Sequence, residues 1–242
     1  MMIISVRNLR DNMGVDEKIA RFFVDRKVPL GNAFWNKRLL YINRGNGYVS
    51  IPVYYDILFR MGIPQSTLLE EQHIQFMEQV MHYAILHEMG QISFTTQIDS
   101  IGKLLTGRLK NAGFYAELLP YLGQKKLLPM GKLGMQVPAL NRADVFLFIL
   151  CDLPLGELQN QLAVKYWSAL HSTYLLMDDI NDYPFDKQNR DENAIVELGD
   201  DKEGFSRAFT ILNKNIAVLE EINPSLGQWF NKSLDNLTKL VP

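Results

Sequence analysis

The sequence predicts an all-α fold, and three observations carry this prediction. Apolar residues recur three and four positions apart over long stretches, most clearly in residues 74–89, as they do on one face of a helix. Proline and glycine separate these stretches. The alternation of apolar and polar residues that is typical of strands is scarce, so we expect a single helical domain that covers residues 1–242.

The first half of the chain contains four predicted helices. Residues 48–61 are rich in β-branched and aromatic side chains, which would also suit a strand, but their length and apolar spacing favour a helix with Pro52 near its first turn. A long helix is expected to begin at Ser66 or Thr67, because glutamates follow as in a capping box, and to run to about Met89. The four predicted helices cover 15–28, 48–61, 66–89 and 92–105, with a short strand at 94–98 as an alternative.

The second half has one irregular segment followed by more helices. Residues 106–138 contain three prolines and five glycines, which predicts short helices joined by loops, with a lid over a pocket. Residues 139–153 are apolar almost all round, so a buried helix is expected there. Pro184 is expected to end the helix that precedes it. Helices are predicted over 139–153, 158–182, 203–222 and 224–240, and a polar loop over 184–201.

Composition narrows the classes of function. Of the 242 residues, 47% are hydrophobic and 21% are charged, which suits a chain with a large core. The net charge of −2 and the absence of a Lys/Arg block give no electrostatic footprint for nucleic acid, so no such partner is expected. The single cysteine, Cys151, excludes an internal disulfide and favours a reducing compartment. Apolar runs are too short for a signal peptide or a membrane span, so we expect a cytoplasmic protein without stable membrane insertion.

One acidic segment, residues 177–186, indicates chemistry. It carries four aspartates, and positions four apart lie on the same face of a helix, so Asp178 and Asp182 point the same way, with Asp179 about 100° round. Like charges this close repel one another, and they also oppose the negative end of the helix dipole. A bound cation would relieve both effects.

We interpret this segment as a magnesium site. Mg²⁺ prefers oxygen ligands, keeps several waters, and usually takes one or two carboxylates together with substrate phosphates. The metal and Lys or Arg side chains would then neutralise a diphosphate leaving group. The alternative is a solvated helix end followed by an acidic loop, which predicts that Asp178 and Asp182 face bulk solvent.

The same segment resembles a known motif. Residues 175–186, Leu-Leu-Met-Asp-Asp-Ile-Asn-Asp-Tyr-Pro-Phe-Asp, are similar to the second aspartate-rich motif of the trans-prenyl diphosphate synthases. That family has the class I isoprenoid synthase fold, so the resemblance implies eight to ten helices around an apolar cavity, with Mg²⁺ and an isoprenoid diphosphate at its mouth. It assigns catalytic roles to Asp178, Asp179 and Asp182.

Other segments resemble the family less closely. Residues 141–148 are similar to its lysine-threonine helix, with Arg142 in place of the lysine, and Arg190 stands near a further family lysine. Of the first aspartate motif only Asp99 remains, so the resemblance implies Asp178, Asp182 and Asp99 as metal ligands. It implies six substrate-binding residues: Lys37, Arg38, Arg108, Arg142, Asp186 and Arg190.

Two functions follow from this resemblance. The first is a Mg²⁺-dependent prenyltransferase or a related isoprenoid synthase, and the squalene and phytoene synthases share its acidic motif. The second is a non-catalytic prenyl synthase-like subunit, or a lipid- or diphosphate-binding protein, which the reduced first motif favours. The chain would be a homodimer or would pair with a catalytic subunit. A half di-iron pattern, Glu70-x-x-His73, is interpreted as a solvated helix face.

Overall fold

The predicted all-α fold is confirmed. The structure, a computed structural model, describes residues 5–27, 29–33 and 49–237, which leaves Lys37 and Arg38 outside the described residues. The chain is 73% helical, with about 12 helices and no strand among these residues. The α-helices are α1 (Glu17–Asp25), α2 (Ser50–Arg60), α3 (Gln65–Leu68), α4 (Glu71–Glu88), α5 (Phe94–Leu104), α6 (Ala112–Leu122), α7 (Glu157–Asn189), α8 (Ala194–Leu198), α9 (Lys202–Ile222) and α10 (Pro224–Leu237). A π-helical turn covers Asn8–Asn12, and two 3₁₀ helices cover Pro138–Asn141 and Asp144–Asp152.

The buried helix predicted over 139–153 is present as two short 3₁₀ helices and not as one continuous helix. The side chain of Asn141 accepts a hydrogen bond from the Met135 N–H and donates to the Leu127 and Met135 carbonyls, so it holds the preceding loop. Every residue of Asp144–Asp152 is buried. A segment that is apolar all round has no preferred face, and its pattern therefore does not distinguish an α-helix from a tighter one.

The prediction that Pro184 ends a helix is wrong. Helix α7 continues through Pro184 to Asn189, a length of about 50 Å. Pro184 lacks the N–H that would continue the helical hydrogen bonds, but the helix does not end there. The helix ends where Arg190 adopts a left-handed conformation (φ 60°) and the Asp191 N–H donates to the Asp186 carbonyl. All four aspartates of the acidic segment therefore belong to one helix.

The long helix predicted over 66–89 is divided into α3 and α4, and Ser66 and Thr67 do not cap it. Gly90, at a φ of +69°, ends α4 and separates it from α5, which Ser93 caps by accepting a hydrogen bond from the Thr96 N–H. These breaks, together with the 3₁₀ helices, raise the number of helices above the eight to ten that were predicted.

One cluster of buried hydrophobic residues runs from Leu9 to Leu237. Helix α7 lies at its centre and packs against α2, α8, α9 and α10, while α4 packs against α5 and the second 3₁₀ helix. No helix among the described residues has the length and apolar character needed to cross a membrane.

The interpretation of His73 as part of a solvated face is wrong, because its side chain is 1% exposed. Its Nδ1 lies 3.1 Å from Asp152 Oδ2, and its Nε2 lies 3.0 Å from the Tyr55 hydroxyl. Burial lowers the pKa of His73. This buried chain of hydrogen bonds joins α2, α4 and the second 3₁₀ helix, so it positions the walls of the cavity described below.

A second buried carboxylate, Asp144, anchors the second 3₁₀ helix to α6 and α7. Its Oδ2 accepts a hydrogen bond from the Tyr121 hydroxyl (2.5 Å), and its Oδ1 accepts one from Trp167 Nε1 (2.8 Å). Burial raises the pKa of Asp144 to about 6. The ionised carboxylate therefore costs stability above pH 6, and this cost disappears as the pH falls toward the unfolded-state pKa.

Asp144→Asn is expected to lower the free energy of unfolding by about 1–3 kcal/mol, because the amide keeps one acceptor oxygen and its NH₂ group cannot accept the second hydrogen bond. The deficit relative to wild type should be larger at pH 5 than at pH 7, since only the wild-type carboxyl gains stability on protonation. Urea unfolding at both pH values measures the effect. An unchanged midpoint at pH 7, or a deficit independent of pH, would contradict this account.

Candidate functional site

A cavity of about 1280 Å³ lies beside α7. We call it the α7 cavity. Helix α7 contributes a continuous face, because the lining residues His171, Leu175, Asp178, Asp182 and Phe185 follow one another at intervals of three and four. Residues from α2, α4, α5, both 3₁₀ helices and the segment after α6 form the other walls.

The interior of the α7 cavity is largely apolar and aromatic. Phe146 stacks on Trp167 (ring centroids 4.9 Å apart, 22° between planes), and Trp167 stacks on His171 (4.6 Å, 7°). All three rings line the cavity. The aliphatic part of the wall consists of Ile51, Met81, Ala84, Ile85, Val145 and Leu175. Such a surface suits the hydrocarbon portion of a ligand, and its aromatic faces would stabilise positive charge.

Carboxylates surround the mouth of the cavity. Asp178, Asp182 and Asp186 lie one turn apart on α7, and Asp191 and Glu192 follow the helix. Asp178 and Asp182 line the cavity but are both exposed, as the alternative of a solvated helix end also predicted. Desolvation of Asp178 by the neighbouring wall, together with the charges of Asp182 and Asp179, raises the pKa of Asp178 to about 6. Burial and the charge of Asp186 likewise raise the pKa of Asp182. A cation bound at Asp178 and Asp182 would reverse these shifts, as the acidic segment predicted.

Asp179 lies about 100° round the helix from Asp178 and is 2% exposed. Its two oxygens accept hydrogen bonds from Arg142 (2.8 and 3.3 Å), and one of them also accepts from the Ala194 N–H (2.8 Å). The Asn193 side-chain amide donates to the Asp179 carbonyl and to Asp186 Oδ2. Asp179 therefore fastens α8 and the first 3₁₀ helix to α7, and its oxygens are already engaged.

Within the described ranges, three cationic residues line the α7 cavity together with these carboxylates. Arg142 was predicted from the sequence, whereas Lys125 and Lys126 were not. Lys126 also pairs with Glu197 (3.0 Å). Both lysines belong to the segment that Asn141 holds in place. The signal that could have identified them is a lysine pair inside the glycine- and proline-rich stretch that was predicted to form a lid.

Three of the predicted residues that the structure describes, Asp99, Arg108 and Arg190, do not line this cavity. Asp99 is exposed on α5 and does not line the cavity, whereas Gln97 of the same helix does and is 1% exposed. Arg108 lies in a separate groove, where it donates to Asp152 Oδ2 (2.6 Å). Arg190 is exposed at the end of α7 and does not line the cavity.

The carboxylates at the mouth fit a magnesium ion only in part. Within residues 5–27, 29–33 and 49–237, no three His, Cys, Asp or Glu side chains are grouped closely enough to hold a metal by themselves. Two carboxylates one helical turn apart do suit Mg²⁺, which completes its octahedron with waters and phosphate oxygens. The site is therefore chemically suited to a metal that arrives with a polyphosphate.

Comparisons of the chain with protein-family models, with curated proteins and with solved structures give no match.

Proposed function

We propose that the α7 cavity binds an isoprenoid diphosphate together with Mg²⁺, and that the protein is a Mg²⁺-dependent prenyltransferase or a related isoprenoid synthase. One observation carries the proposal: the mouth of a deep apolar cavity presents carboxylates and cations together. The carboxylates are Asp178 and Asp182, and the cations are Lys125, Lys126 and Arg142. Carboxylates alone repel a diphosphate, but a carboxylate-bound metal and basic side chains can bind its oxygens from two sides.

Different residues of the cavity would then serve different steps of the reaction. Lys125, Lys126 and Arg142 hold the diphosphate, and Mg²⁺ at Asp178 and Asp182 would neutralise the charge that develops on it. The allylic C–O bond breaks, its electron pair leaves with the diphosphate, and a carbocation remains in the cavity. The faces of Phe146 and Trp167 stabilise that cation, and the apolar walls keep water from it.

Calorimetry with Mg²⁺ and farnesyl diphosphate tests the binding step. The double variant Lys125→Ala/Lys126→Ala is expected to bind about 10–100-fold more weakly, since a hydrogen bond to a charged group contributes about 1.5–3 kcal/mol. Lys165→Ala is the matched control, because Lys165 is also an ion-paired surface lysine but does not line the cavity. Equal affinities for the double variant and the control, or wild-type binding that does not depend on Mg²⁺, would contradict the proposal.

A second candidate function is a non-catalytic diphosphate- or lipid-binding protein, which could pair with a catalytic subunit. The observation that favours it is the wall formed by α5, where Gln97 lines the cavity and Asp99 does not. Among the described residues, α4 and α5 then contribute one lining carboxylate, Glu88, whereas α7 contributes three. Release of diphosphate by the purified chain distinguishes the two functions: release supports the enzyme, while Mg²⁺-dependent binding without release supports the binding protein.

A further inference from the structure

The interior of the α7 cavity contains an imidazole that the steps above do not use. His171 lines the cavity and lies flat against Trp167. Its Nδ1 is buried and has no hydrogen-bond partner within the part of the chain that the structure describes. Unpaired polar atoms of this kind are uncommon in folded proteins, and they cost about 1–3 kcal/mol each. An imidazole with an unpaired nitrogen in the wall of a cavity therefore indicates a role in binding or chemistry.

His171 lies on the same face of α7 as the proposed metal ligands but deeper in the cavity. It precedes Asp178 by seven residues, which corresponds to two helical turns and about 10.5 Å along the axis. A ligand whose diphosphate is bound at Asp178 and Asp182 would have its hydrocarbon chain, rather than its head, beside this ring.

The imidazole is neutral at physiological pH. Burial, together with the positive charge of Arg142, lowers the pKa of His171 to about 3. A neutral imidazole has one N–H and one basic lone pair. The amide of Gln97 and the hydroxyl of Ser50, which also line the cavity, are not bases at neutral pH. A carbocation is a far stronger acid than any side chain, so even a weakly basic imidazole can accept a proton from it.

We propose that His171 is the base that ends the reaction, which deepens the proposed function and rests on it. After the diphosphate has left, a carbon next to the cationic centre loses a proton to a ring nitrogen of His171. The electrons of that C–H bond form a new C=C bond, and the imidazolium returns its proton to solvent when the product leaves. The substrate class is then an allylic diphosphate, and the product is an alkene formed by proton loss within the chain, as in elimination or cyclisation.

The experiment measures two quantities in one assay with Mg²⁺ and farnesyl diphosphate or its shorter and longer homologues. Diphosphate release reports ionisation, and gas chromatography with mass spectrometry reports the hydrocarbon products. His171→Phe keeps a flat ring on Trp167 without a base. We expect its alkene yield per diphosphate released to fall by about 100-fold, the low end of the contribution of general bases, with alcohols from water capture in its place. This ratio does not depend on the fraction of folded protein.

His87→Gln provides the comparison. His87 also lines the cavity, but it lies in the last turn of α4, and its Nδ1 lies 3.2 Å from the Ile92 carbonyl. Unchanged products from His171→Phe, or a change of products in His87→Gln alone, would overturn the assignment of the base while the proposed function stands. Failure of the wild-type chain to release diphosphate would overturn both, and the wild-type arm identifies that case.

Discussion

Asp179→Ala is expected to lower the free energy of unfolding by about 3–5 kcal/mol, the cost of removing one partner of a buried ion pair. The substitution leaves Arg142 without its carboxylate and leaves the buried Ala194 N–H without an acceptor. Both groups belong to elements that pack against α7, and this side chain bonds to both of them. Urea unfolding at pH 7, followed by circular dichroism, measures the change.

The matched control is Asp182→Ala, because Asp182 is an exposed aspartate on the same helix. It should change the stability by no more than about 0.5 kcal/mol. If Asp179→Ala were as stable as this control, the ion pair with Arg142 would not hold the structure together. Asp179 would then be free to act at the cavity, as the resemblance to prenyl synthases had implied.

The parts of the site that the sequence could predict are those that depend on local geometry. Asp178 and Asp182 are four residues apart, so any helix places them on one face, and they do line one cavity. The resemblance gave Asp179 the same catalytic role as these two aspartates. Its actual partners, Arg142 and Ala194, are 37 and 15 residues away in the sequence, and no local pattern indicates that they meet it.

The wrong helix end and the other misassigned site residues also result from tertiary contacts that the local sequence does not show. Pro184 usually marks a helix end, but the packing of α7 against α2, α8, α9 and α10 holds the helix through it. The resemblance implied that Arg108 binds substrate, yet its guanidinium is bound to Asp152 in another groove. Lys125 and Lys126 reach the cavity because Asn141 ties their segment to the first 3₁₀ helix, which is a tertiary contact as well.

Asp178 and Asp179 are therefore neighbours on α7, but their carboxylates lie in opposite electrostatic surroundings. Asp178 faces the cavity, where it has like charges for neighbours, whereas Asp179 is buried, where it has an arginine and a backbone N–H. The first arrangement costs stability in the absence of a cation, and the second contributes stability. A costly cluster that persists at the mouth of a cavity is the expected condition of a binding site.

Asp178→Asn is accordingly expected to weaken Mg²⁺-dependent diphosphate binding by about 10–100-fold, since an amide lacks the charge that attracts the metal. Because the pKa of Asp178 is about 6, the affinity should also depend on pH. Metal binding requires the ionised carboxylate, so wild-type affinity should fall as the pH drops through 6, and the variant should lose this component of the pH dependence. Calorimetry at pH 5.5 and pH 7.5 measures both effects.

The same variant should be no less stable than wild type at pH 7.5, and its melting temperature should rise. The folded-state pKa of Asp178 lies above its unfolded value, so the ionised side chain opposes folding above pH 6, and the neutral amide removes that cost. Weaker binding combined with higher stability is what a ligand site predicts, whereas a structural residue loses both together. Wild-type affinity in Asp178→Asn would instead mean that the acidic segment is only a solvated helix face.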